Sequence, residues 1–62
     1  MSAMYTIDEV AKITKKNPAT VRKMARDGNT KFFKFGGEWR ITKEDLNLWI
    51  EELKEKSYRA EN

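Results

Sequence analysis

The chemistry this sequence offers is ionic. Between Lys12 and Lys43 ten residues are basic (Lys12, Lys15, Lys16, Arg22, Lys23, Arg26, Lys31, Lys34, Arg40 and Lys43), and only Asp27 and Glu38 are acidic. That segment carries an excess of eight positive charges. The first eleven residues carry two negative ones, Asp8 and Glu9, and residues 44–62 hold six acids against three bases. The overall charge of +3 hides this segregation. A one-sided basic segment is the footprint of a polyanion partner, although a solvated lysine-rich surface gives the same count.

Other chemistries are harder to build here. There is no cysteine, hence no disulfide framework and no thiolate metal site, and no histidine, which removes the usual general base and the commonest zinc ligand. In 62 residues a deep catalytic pocket has little room. The expectation is a binding protein, with no catalytic residues, cofactor or metal. No apolar run approaches the roughly 20 residues of a membrane helix. Met1 to Tyr5 lacks the basic-then-apolar order of a signal peptide. A cytoplasmic chain with no membrane partner is expected.

The cations need elements to hold them. Thr6-Ile7-Asp8-Glu9 has capping-box spacing, with Tyr5 and Val10 placed for a hydrophobic staple. Ile7, Val10, Ala11 and Ile13 then recur at helical spacing, so a first helix runs to about Thr14. After the short Lys15-Lys16 link, Asn17 caps a second helix with Pro18 at its first position, and Gly28 closes it. Two helices joined this tightly form a helix-turn-helix. Placing Val21, Met24 and Ala25 inward at 100° per residue turns Ala19, Arg22, Lys23 and Arg26 outward, with Thr20 on the flank. A helix fits the major groove, about 12 Å wide. Arg22, Lys23 and Arg26 then reach base edges or phosphates, and Thr20 and Asn17 suit contacts near the helix start.

Beyond Gly28 the period changes to two, and Phe33 to Ile41 reads as a β-hairpin. A three-residue loop, Gly36-Gly37-Glu38, pairs Phe35 with Trp39, Lys34 with Arg40, and Phe33 with Ile41. One face becomes wholly apolar and the other carries two cations, so this register is expected. Lys34 and Arg40 opposite each other repel unless phosphates neutralise them, and Lys31 at the hairpin base adds to the same arm. The alternative is a lid on the core, with Arg40 paired to Glu38 or Asp45. A single-strand stacking platform of Phe32, Phe33, Phe35 and Trp39 is disfavoured, because three of these rings fall inward in this register and leave only Phe32 exposed. Thr42 caps a third helix, with Glu44 and Asp45 in its first turn and an apolar stripe of Leu46, Trp49, Ile50 and Leu53. It reaches Lys54 or a little further. The expected fold is α+β, mainly α: a winged helix-turn-helix of three helices and a two-stranded hairpin wing. The domain spans residues 1–55, with residues 56–62 a disordered tail.

Three runs carry a resemblance: Tyr5-Thr6-Ile7-Asp8-Glu9-Val10-Ala11, Asn17-Pro18-Ala19-Thr20-Val21-Arg22, and Phe33-Lys34-Phe35-Gly36-Gly37-Glu38-Trp39-Arg40-Ile41. Together they resemble the excisionase family of MerR-like winged-helix domains, over residues 5 to 53. The resemblance implies a second helix in the major groove of double-stranded DNA and a wing in or along the adjacent minor groove. It also implies neighbouring copies bound side by side and a partner integrase whose excision reaction the protein assists. The implied readers are Thr20, Arg22, Lys23 and Arg26, with Lys34 and Arg40 on the wing. Three departures stand out, the first being Met24 where an aromatic or leucine is common. Thr14, Lys15 and Lys16 replace the family's usual apolar residue and glycine in the turn, and Thr30-Lys31 replaces a usual Leu-Pro. The same fold also serves small transcription regulators. A reading from another class is a protein-interaction module, such as an antitoxin or adaptor using the acidic last helix.

Overall fold

The computed structural model describes residues 3–60. In chain order it contains β1 (Met4–Thr6), α1 (Ile7–Thr14), α2 (Pro18–Asp27), β2 (Phe33–Phe35), β3 (Glu38–Thr42) and α3 (Lys43–Ala60). The strands form one antiparallel sheet in the order β1-β3-β2. Helices predominate, and the hairpin of β2 and β3 is the wing of a winged helix-turn-helix.

The helix ends follow local chemistry. Thr6 Oγ1 accepts from the Glu9 amide at 3.1 Å, and Glu9 Oε1 accepts from the Thr6 amide at 2.8 Å, completing the capping box. Asn17 Oδ1 accepts from the Ala19 amide at 2.8 Å at the start of α2. Thr42 Oγ1 accepts from the Asp45 amide at 3.1 Å at the start of α3. Both short helices close in the same way. The amides of Lys15 and Lys16 reach back to the carbonyls of Lys12 and Ala11, and those of Gly28 and Asn29 to Ala25 and Met24. This is the Schellman arrangement, which needs a left-handed residue at its centre. Gly28 supplies it at φ 78°, but in the helix-turn-helix link Lys15 supplies it at φ 58°.

The core gathers Ile7, Val10 and Ala11 of α1, Val21 and Ala25 of α2, and Ile41, Leu46 and Trp49 from β3 and α3. Phe32, just ahead of β2, completes it: its ring meets Trp49 edge-on at 6.4 Å between centroids. Met24, Tyr5, Trp39, Ile50 and Leu53 are half-buried around it. Ile13 departs from the expected inward face and is 50% exposed. It lines a shallow groove with Ile50 and Leu53.

The hairpin corrects the expected register. Phe33 lies opposite Arg40, Lys34 opposite Trp39 and Phe35 opposite Glu38, so the loop is the two residues Gly36-Gly37. Both glycines have positive φ, 62° and 83°. That combination belongs to the tight hairpin turn whose twist matches the strands. Phe32, 8% exposed, takes the core position, which shifts the alternation by one. Phe33 and Phe35 consequently face outward, 37% and 55% exposed. Lys34 and Arg40 are not a cross-strand pair, and the repulsion expected of them does not arise.

Two further differences concern the ends. Tyr5, expected only as a staple residue, lies in β1, opposite Ile41, with Met4 opposite Thr42 and Thr6 opposite Arg40. The third helix runs through Ala60, so residues 56–60 are helical rather than disordered. No glycine or proline interrupts Lys43–Ala60, and Glu51 and Lys54 form an ion pair at 3.5 Å. Glu61 and Asn62, the rest of the expected tail, lie outside the described residues.

Candidate nucleic-acid interface

The second helix of the helix-turn-helix exposes a cationic face because its other face is spent on the core. Val21 and Ala25 are buried and Met24 is half-buried, which leaves Ala19, Thr20, Arg22, Lys23 and Arg26 exposed. Asn17 is also exposed, but its side-chain oxygen is engaged in the cap, which leaves its amide NH2 as the group able to make a contact. A carboxylate is absent from the first turn, and Arg26 stands in the last. The first turn of α2 therefore carries no acidic side chain of its own to compete with a phosphate for the helix dipole.

The wing cations are each held by a neighbour. Lys34 Nζ lies 4.6 Å from the centroid of the Trp39 ring, a cation–π arrangement. Arg40 Nη1 donates to Glu38 Oε1 at 2.9 Å and to the Trp39 carbonyl at 3.3 Å. Its side chain is only 25% exposed, against 70% for Glu38. Of the alternatives open for Arg40, pairing with Glu38 is the one the structure contains.

Arg22, Lys34 and Arg40 converge on one groove. It runs between α2, the start of α1 and the wing, encloses about 410 Å³, and is also lined by Thr6, Asp8 and Glu38. The helix arm and the wing arm thus share a concave surface. Two carboxylates border it, which the charge pattern along the chain does not reveal. Lys31 stands elsewhere: it lines a second groove of about 260 Å³ with Asp45 and Glu52 of α3. Lys31 is thereby grouped with acids of the last helix and apart from Lys34 and Arg40.

The exposed rings of Phe33 and Phe35 were missed by alternation. They pack edge to face, 6.3 Å apart and 78° between planes. The signal that finds them is the Gly36-Gly37 pair, since two adjacent positive-φ residues specify a two-residue turn. With the rings outward, burial no longer argues against an aromatic surface on the wing.

Among the described residues no helix is long and apolar enough to cross a membrane. Searches of curated proteins and of solved structures return no match. A family model described as a helix-turn-helix domain matches residues 4–54, most of the chain and every element that builds the two arms. Fold, exposed basic helix and family match agree: the chain belongs to the helix-turn-helix domain family and is a DNA-binding domain.

Proposed function

We propose that this protein is an architectural, sequence-specific double-stranded-DNA-binding factor of the excisionase type, which shapes DNA for a separate integrase and performs no catalysis itself. The carrying observation is the groove shared by Arg22, Lys34 and Arg40, which joins a helix suited to the major groove to a wing suited to the next minor groove. Arg22, Lys23 and Arg26 supply base-edge and phosphate contacts, with Thr20 and the Asn17 amide at the helix start. Lys34 and Arg40 bind backbone phosphates beside the wing. The motif resemblance supports the excisionase assignment within the family, together with MerR-like docking and action on a mobile element in the cytoplasm. Neighbouring copies on adjacent sites and an integrase are the protein partners in this reading.

Footprinting across the ends of the element that encodes the protein tests it directly. Protection of repeated sites there, with stimulated excision when integrase is added, is the expected result. Protection only at a promoter, with excision unaffected, would replace the excisionase role by transcription control. Absence of any duplex binding at low salt would remove the DNA reading altogether.

A further inference from the structure

The Phe33–Phe35 pair calls for an explanation that the cations do not provide. Both rings lie on the sheet face turned away from Ile41 and the core, opposite Arg40 and Glu38 respectively. β2 is also an edge strand, and an exposed apolar edge invites association unless something covers it. Two cations flank the pair: Arg40 stands across from Phe33 on the rings' own face, and Lys34 projects from the opposite face of the strand between them. The nearby acid, Glu38, is paired with Arg40. Lysine is depleted in protein–protein interfaces, which disfavours a second copy as the cover of this edge. The complementary surface has apolar walls and anionic rims. The minor groove of duplex DNA has that composition, with sugar walls and base edges between two rows of phosphates.

We propose, building on the duplex-binding reading above, that Phe33 and Phe35 form an apolar minor-groove contact. The hairpin enters the groove with its aromatic face against the sugars and base edges of one wall, and Lys34 and Arg40 meet the flanking phosphates. Apolar side chains are a known means of wedging minor-groove steps. The edge-to-face geometry also selects the duplex over a single strand. Two rings 78° apart cannot offer parallel faces to successive bases, as a stacking platform does.

The test uses the full chain and an A·T-rich duplex about three helical turns long, with one of its strands alone as competitor. Because both rings are exposed, the F33S/F35S variant keeps its core, which circular dichroism and urea unfolding check. Its duplex affinity should fall by about tenfold or more, the scale of losing burial of an aromatic ring, while the salt dependence of binding stays at the wild-type slope. K34Q serves as the contrast and should lower the slope. Wild-type binding with an unchanged F33S/F35S affinity would overturn the aromatic contact alone. So would a variant whose single-site affinity holds while sedimentation shows lost self-association, since the rings would then join copies. Stronger competition by the single strand than by the duplex would reassign the pair to base stacking. A wild-type chain that binds no duplex at low salt would sink the duplex reading and this contact together.

Discussion

Lys34 Nζ sits 4.6 Å from the centre of the Trp39 ring, directly opposite it in the hairpin ladder. A lysine facing a tryptophan looks unfavourable if the two are sorted into polar and apolar faces. Here the ammonium lies over the ring, so one pair covers Trp39 and presents a charge. Replacing Lys34 with Gln should lower stability by about 0.5–1 kcal/mol, the scale of a cation–π contact at a partly exposed site. It should also reduce the salt slope of DNA binding by about one unit if Lys34 contacts a phosphate. Urea unfolding and binding titrations at several salt concentrations measure the two effects separately.

Glu38 restrains the wing. Its carboxylate holds Arg40 at 2.9 Å and borders the groove where a phosphate would approach. Glu38→Gln should strengthen DNA binding and steepen its salt dependence, since a repulsive charge is lost and Arg40 is released. Folding stability should change by less than about 1 kcal/mol, because exposed ion pairs contribute little. Weaker binding by this variant would mean that Glu38 orients Arg40 productively.

Arg22 and Lys23 are both exposed on α2, but only Arg22 lines the groove toward the wing. Alanine at either position should leave the unfolding midpoint nearly unchanged. Arg22→Ala should weaken duplex affinity by about 1–3 kcal/mol, the range for a base-reading arginine, and Lys23→Ala by less. Equal wild-type affinity in both variants would move the recognition surface off this helix face.

Lys15 holds a left-handed conformation at φ 58° in the turn between the first two helices. A side-chain-bearing residue there is strained by about 1–2 kcal/mol. Glycine relieves that strain but gains freedom in the unfolded chain. Lys15→Gly should therefore stabilise the fold by about 0.5–1 kcal/mol net. Thermal unfolding should show an upward shift of the midpoint.

The inverted hairpin separates three neighbouring phenylalanines. Phe32 is buried against Trp49, whereas Phe33 and Phe35 are exposed. Phe32→Ala should cost about 3–5 kcal/mol, a large share of what a small domain possesses. Phe35→Ala should cost well under 1 kcal/mol, as surface substitutions do. The opposite ranking in a chemical denaturation series would restore the three-residue loop.

Those phenylalanines also mark where the chain was legible from sequence. Caps were, because Thr6, Asn17 and Thr42 act on amides two or three residues away, within reach of a local pattern. The outward face of α2 was too, since Val21 and Ala25 set its phase. The wing register depended on a contest between maximal aromatic burial and turn geometry. Phe32 reaching Trp49 of α3 decided it, a contact that alternation within the hairpin does not register. β1 escaped notice for a similar reason: three residues have no period of their own and become a strand only beside Ile41 and its neighbours. The site residues divided on the same line. Arg22, Lys34 and Arg40 meet in space, while Lys31, close in sequence, lines a different groove with acids from α3.

Thr6 opens α1 with its side chain and stands opposite Arg40 of the wing in the sheet. A single residue therefore ties the first helix to the strand that carries the wing. The first helix in turn packs against α2, so the angle between α2 and the hairpin is set when the chain folds, before any duplex arrives. Less conformational freedom is then lost on binding. A stiff two-pronged gauge also leaves the duplex as the partner that must adjust. Groove spacing and flexibility at the steps between the prongs would then be read as energy, at base pairs no side chain touches.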